Sequence, residues 1–298
     1  MQKDSIIKAE ITPRRKSAGK RANRTRMHKP RDERTVDMKK ITNKVLWLFA
    51  VGQFGWSLLS GIISSWMVYY YTGSDAVFGS YITGEPLFLG LTLFGLIIAV
   101  GRIFDAVTDP LIAGWSDASD FKGGRRIPFM KVIAIPFALV TVGVFLFPST
   151  GSVVLNDILL FITLMLFYLF MTIYCTPYNA LIAELGDTQE HRVNVSTYIS
   201  FTYIAGFSVS YLLPNLASLF TSSMGEEGAV RFAIGLLAAL AAIAMLVPSF
   251  FIKERDYIEV KPVKTQAFRS LVKTFSNGQF RRFVYSDVIY FFAVALFQ

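Results

Sequence analysis

The sequence predicts an all-α integral membrane protein with six complete membrane-spanning helices and the start of a seventh. Three observations predict it. Of 298 residues, 53% are hydrophobic and 15% aromatic, and only 17% are charged, whereas an ordinary soluble domain carries about a quarter charged residues. The apolar residues fall in blocks of about 20 or more with few or no charges, the length that crosses roughly 30 Å of hydrocarbon. Finally, 28 of the 30 Lys and Arg lie in the leading tail or in every second connection.

Taken in order, residues 1–44 hold 15 Lys or Arg and few aliphatic residues. They lack the apolar core of a cleaved signal peptide and read as a basic, disordered, cytoplasmic tail. The six spans run from Val45 to Tyr71, Leu87 to Trp115, Pro128 to Phe147, Ile158 to Leu185, Val193 to Phe220 and Gly228 to Ile252, together a bundle over 45–252. A linker, 253–282, follows, and a seventh span opens near Phe283 and is truncated at Gln298. The chain therefore reads as the front part of a longer protein.

Cations in short flanking segments stay on the cytoplasmic side. The tail, Asp117–Lys131, the segment around Arg192 and Lys253–Arg282 carry all but two of them, the exceptions being Arg231 and the intramembrane Arg102. The tail and every second loop thus face the cytoplasm, in a cell membrane (plasma or inner), and neither Asn23 nor Asn194, each in an N-x-S/T sequon, should be glycosylated. The tail has no interleaved aromatics, so its partner is the anionic leaflet of the lipid bilayer and not nucleic acid.

One cysteine, Cys175, excludes an internal disulfide framework, and two isolated histidines, His28 and His191, exclude the usual metal clusters. No nucleophile–base pair and no phosphate-cradling loop is present, so the chain reads as no enzyme, with no cofactor.

The chemistry concentrates in Gly101-Arg102-Ile103-Phe104-Asp105-Ala106-Val107-Thr108-Asp109-Pro110, inside the second span. Each charge deep in a bilayer costs about 2.5–3.5 kcal/mol on insertion scales, so three within eight residues require partners or a water-filled path. Helical spacing puts Arg102, Asp105 and Asp109 on one side. Arg102 then neutralises one carboxylate and leaves a deficit that suits a small cation. Either Na⁺ takes the oxygens, or one carboxylate keeps a proton beside its like-charged neighbour. Pro110 removes a helix donor and frees a carbonyl, a disturbance that tends to line cavities.

The next connection, from Asp117 through Gly123-Gly124-Arg125-Arg126 to Pro128, is a tight glycine turn leading into a helix. Topology alone explains Arg125 and Arg126 but not Asp117. An acid at a helix end paired to loop arginines is expected to latch two helices in one conformation and release them in another.

RIFDAVTDPLIAGWSD followed by GGRRIPF resembles the glycoside-pentoside-hexuronide:cation symporters, the melibiose-permease-like branch of the major facilitator superfamily. The resemblance extends over 45–298 and includes VYYYTG at Val68–Gly73, TPYNALIAEL at Thr176–Leu185 and FRRFVYSDVIY before the end. It implies the N-terminal six-helix bundle of a twelve-helix major-facilitator fold, with a C-terminal bundle of the same protein as partner. It also implies a coupling cation, Na⁺ or H⁺, at Asp105 and Asp109 with the hydroxyl of Thr172. Asp117, Arg125 and Arg126 match the superfamily's cytoplasmic loop motif, with Ala113 and Ala118 in place of its usual Gly and Arg. The family's sugar-holding positions fall on Ser57, Cys175 and Asn179, none of which is the acid or tryptophan found in melibiose permease.

Sugar recognition needs amides or carboxylates for hydroxyls and an aromatic face for the ring. Tyr174, Tyr178, Asn179, Trp56 and Gln53 are the residues that supply these. The expected function is cation-coupled symport of a sugar- or glycoside-like solute by alternating access. Two alternatives remain: the same fold carrying a lysolipid or other amphiphile, and a non-transporting membrane sensor or assembly module.

Overall fold

A computed structural model describes residues 39–72, 76–84, 86–88, 91–258 and 275–297. Most of the expected tail, with Asn23, and residues 259–274 of the expected linker lie outside the described residues. The described residues are helical almost throughout. α1 (Asn43–Gly61) passes through a π-helical turn (Ile62–Trp66) into α2 (Met67–Thr72). Two short strands, Pro86–Phe88 and Leu91–Thr92, pair antiparallel before α3 (Leu93–Ala118). α4 (Ile127–Leu146), α5 (Val153–Leu185), α6 (Gln189–Ser210), α7 (Leu213–Ser218), α8 (Thr221–Phe251), α9 (Glu254–Tyr257) and α10 (Gly278–Phe297) complete it.

Among the described residues, four stretches, Asn43–Thr72, Ile127–Leu146, Val153–Leu185 and Thr221–Phe251, are long and apolar enough to cross a membrane. α3 and α6, at 26 and 22 residues, have the length but not the composition. The first carries Arg102, Asp105 and Asp109, and the second is rich in Ser and Thr. Intramembrane polarity of this kind belongs inside a bundle and not against lipid. On α3, Ile103, Val107, Leu111 and Trp115 form an exposed stripe at four-residue spacing. The helix thus turns apolar side chains outward on one side and keeps its charges for another.

Helix ends differ from the hydropathy blocks where local hydrogen bonding decides them. The second span begins at Leu93 and not at Leu87, because Thr92 caps it: its Oγ1 accepts from Gly95 N at 3.1 Å. The fifth span ends at Ser210 and resumes as α7, with Pro214 in the first turn of the new helix, where a missing N–H costs nothing. The sixth begins earlier than Gly228, across a break at Gly225, whose φ of 72° suits glycine. The seventh opens at Gly278, five residues before Phe283.

α1 packs on α6 and α8, α4 on α5 and α8, and α3 on α5. Counting the six long helices that precede α10 in chain order, exchange of first with fourth, second with fifth and third with sixth maps these pairings onto themselves. The exchange shifts the chain by three spans, an odd number, so the two halves run in opposite directions across the membrane. This is the signature of inverted three-helix repeats. Leu46, Phe49, Leu58, Phe137, Phe167 and Tyr178 fill the centre of the bundle.

Small residues let the helices approach. At Gly206 of α6, a Cβ would collide with Ser57 Oγ and with the Phe54 carbonyl oxygen of α1. Gly206→Leu is expected to force α1 and α6 apart, costing about 1–3 kcal/mol by overpacking. Thermal unfolding of the purified chain measures this, and an unchanged midpoint would show that the helices separate without cost.

Candidate functional site: an acid pair opening on a cavity

Asp105 and Asp109 project from α3 toward α5. Thr172 Oγ1 donates to Asp105 Oδ1 at 2.5 Å, and Thr176 Oγ1 donates to Asp109 Oδ1 at 3.0 Å. Both pairs are separated by 67 residues. The helices therefore run parallel here, and one four-residue step on α3 meets one on α5. The resemblance pointed to Thr172 alone. The signal for Thr176 was present in the sequence as a Thr-x-x-x-Thr spacing equal to the Asp-x-x-x-Asp spacing.

Each acid has one fixed donor. Among the described residues, neither Oδ2 has a hydrogen-bond partner, and neither acid forms an ion pair. Both line a cavity of about 700 Å³ with Trp56, Thr172, Thr176, Cys175 and Asn179. No three His, Cys, Asp or Glu side chains come together among the described residues. The donor set is thus two carboxylates and two hydroxyls, hard oxygens suited to Na⁺ or a proton and poorly suited to a soft transition metal.

Arg102 does not do what its spacing predicts. Its guanidinium lies over the Tyr168 ring, 5.5 Å from the centroid, and no ion pair joins it to either acid among the described residues. Helical side chains lean toward the N-terminus, so Arg102 reaches the turn before the acids, where Tyr168 of α5 presents its ring. The two carboxylates keep their full charge deficit.

The expected solute residues divide. Cys175 and Asn179 line the cavity. Ser57 does not: it is fully buried, hydrogen-bonded to its own helix at Phe54 O, 3.1 Å, and pressed against Gly206. Tyr174 and Tyr178 are also fully buried, donating to Met245 O at 3.0 Å and Phe49 O at 3.1 Å. They tie α5 to α8 and α1 and do not line the cavity. Trp56 takes the place Ser57 was expected to hold. It faces the cavity, and its Nε1 is buried without a partner.

A second cluster joins the helix ends beyond α3. Arg126 Nη2 reaches Asp117 Oδ1 at 3.0 Å, and Arg125 Nη2 and Arg126 Nη1 reach Glu184 Oε1 at 2.6 and 2.8 Å. Asp117, Arg125 and Arg126 are thus in contact, with Glu184 at the end of α5 as an unforeseen fourth member. A fifth comes from beyond the sixth span. Glu254, 1% exposed, accepts from the backbone amides of Arg126 and Ile127 at 2.8 and 3.0 Å, capping α4. Gly124, at φ 125°, makes room for it, since a Cβ there would strike the Glu254 side chain. Arg255 adds a bond to Asp120, 2.5 Å, and Lys39 one to Asp256, 2.6 Å. The Lys39 hydrogen bond holds the Asp256 carboxyl below its ordinary range.

With this geometry in place, one sequence comparison decides the family. The sequence profile described as MFS/sugar transport protein matches residues 48–297. The chain belongs to the MFS/sugar transport protein family. It is therefore an integral membrane protein of the major-facilitator type, and the resemblance read from the acid-pair and Gly-Arg-Arg motifs is borne out.

Among curated relatives in this family, the chain is 28% identical over 204 residues to the uncharacterized symporter sll1374 of Synechocystis sp., covering 66% of the chain and 35% of the relative. It is 25% identical over 221 residues to the uncharacterized symporter YnaJ of Bacillus subtilis, 74% of the chain and 45% of the relative. It is 26% identical over 207 residues to the isoprimeverose transporter of Lactiplantibacillus pentosus, 68% of the chain and 39% of the relative. The chain spans half or less of the length of the curated relatives it matches.

Proposed function

We propose that this chain forms the cation-binding half of a secondary active symporter that couples entry of Na⁺ or H⁺ to uptake of a sugar- or glycoside-like solute. The observation that carries the reading is the acid pair: two carboxylates, each held by a single threonine, unpaired with Arg102 and open to a cavity of about 700 Å³. Two uncompensated acids inside a membrane bundle are costly unless a mobile cation joins them. The symporter names of relatives and the carriage of isoprimeverose named for one of them support the solute class.

In this reading the cation binds between Asp105 and Asp109, helped by Thr172 and Thr176, and relieves their mutual repulsion. The cation-bound state favours closure around solute, to which Asn179 offers an amide and Trp56 an aromatic face and a spare N–H. Rocking of this bundle against a second one then exposes the site to the other side. The distribution of Lys and Arg supports a cytoplasmic side, in a plasma or inner membrane, for the tail and for the Asp117–Glu184–Glu254 cluster. That cluster then latches the inner ends of α3, α4, α5 and α8 in one conformation.

The test is uptake into vesicles by the full-length protein that contains this chain, with imposed Na⁺ or H⁺ gradients and labelled glycosides and lysolipids as solutes. Glycoside accumulation that follows a cation gradient is expected; accumulation indifferent to both gradients, or of lysolipid alone, overturns the reading. Within the same assay, Thr172→Ala is expected to raise the half-saturating cation concentration about tenfold, the scale of one hydrogen bond to a charged group. Thr172→Ser keeps the donor and the wild-type value.

A further inference from the structure

A second cavity lies away from the acid pair. It measures about 710 Å³ and runs between the first turns of α4 and the last turn of α8, with Trp115 of α3 on one wall. Its flanks are apolar and face outward: Val132, Phe250 and Trp115 are 74%, 60% and 58% exposed. Two lysines, Lys131 and Lys253, stand at it, and no acid lines it. Among the described residues neither lysine has a carboxylate partner. Lys131 Nζ instead rests 4.4 Å over the Phe250 ring.

The floor holds a further polar group. Ser249 is 8% exposed, lines the cavity, and its Oγ has no hydrogen-bond partner. A helical serine ordinarily satisfies its hydroxyl on the carbonyl four residues back. Here that carbonyl, Met245 O, already accepts from Tyr174 OH at 3.0 Å. A buried hydroxyl left without a partner costs about 1–3 kcal/mol, so Ser249 is a donor awaiting an acceptor.

We propose that this groove is a binding site for an anionic membrane phospholipid. Its phosphodiester sits between Lys131 and Lys253 and accepts from Ser249, and one acyl chain lies along Val132 and Phe250. No acid lines the groove, and Asp256, which acts on Lys253 from outside it, is already bonded to Lys39, so the two ammonium groups select net negative charge over a zwitterionic headgroup, which would bring its own cation. The apolar flanks at the ends of two membrane-spanning helices select a lipid over a soluble anion. The site does not rest on the transport reading and can fail or hold independently of it.

Brominated lipids test it through Trp115. The chain is reconstituted in mixed bilayers of phosphatidylglycerol and phosphatidylcholine with either one brominated, and the Trp115 quenching is isolated by subtracting Trp115→Phe. Phosphatidylglycerol is expected to be preferred about fivefold or more, since each lysine near the surface is worth about 1 kcal/mol toward an anionic lipid. Lys131→Gln with Lys253→Gln should bring the two lipids to parity, and Lys131→Arg with Lys253→Arg should preserve the preference. Ser249→Ala should reduce it.

Equal quenching by both lipids in the wild type overturns the site, and this holds even if the doubly neutralised chain does not fold. So does a preference that survives double neutralisation. Equal loss on Lys40→Gln with Lys44→Gln, two lysines away from the groove, also overturns it, since that would mark a general positive field and no built site.

Discussion

Asp105→Asn and Asp109→Asn are each expected to abolish cation-driven solute accumulation by the full-length protein, a loss of about 100-fold or more. Each substitution removes a unit of ligand charge from a site with only two, and charge count is what sets the affinity of a hard-cation site. Asp105 should be the more damaging. It is the less exposed of the two and takes the shorter threonine bond, 2.5 Å against 3.0 Å. A binding measurement separates the cation step from transport: the ion whose gradient drives uptake, Na⁺ or H⁺, should raise the unfolding temperature of the wild type and not of either variant.

Arg102→Gln is the informative control. Its guanidinium lies over Tyr168, away from the acids, so cation affinity should stay level or rise. Coupled accumulation surviving in both Asp variants would remove the acid pair from the mechanism. Affinity lost in Arg102→Gln would restore the arginine to the site that its spacing predicts.

Glu254→Ala should produce the largest loss of stability of any single change at the helix ends. One carboxylate oxygen accepts from two amides at the start of α4, and the side chain is 1% exposed, so no water replaces it. Loss of the cap, which leaves two buried amides without their charged acceptor, is worth about 2–4 kcal/mol. For a chain of this size that corresponds to a fall of roughly 3–6 °C in unfolding midpoint. Glu254→Gln keeps an acceptor and should lose about half as much. A Glu254→Ala midpoint equal to the wild type would show that α4 starts without this cap and that the cluster is held by Asp117 and Glu184 alone.

Much of the fold was legible because its signals are local. Apolar blocks separated by charged connections locate the six bundle helices, since the cost of burying charge in lipid is imposed residue by residue. Asp105 and Asp109 stand out for the same reason, and Asp117 with Arg125 and Arg126 are close enough in sequence to meet across one turn. Thr92 before an apolar run and Pro214 within one were also readable marks, but hydropathy alone passed over both.

What only the tertiary structure decided is which side chains on different helices share a level. The register between α3 and α5 brings Thr176 to Asp109, 67 residues apart, and Tyr168 to Arg102, 66 apart. The approach of α1 to α6 at Gly206 turns Ser57 away from the cavity. The return of the chain after α8 carries Glu254 to the start of α4, more than a hundred residues away. By itself the sequence determined that this chain crosses a membrane and holds two acids inside it, because water-to-lipid transfer acts on each residue separately. Which groups attend those acids was left to helix packing, because the contacts depend on registers between segments that no local spacing encodes.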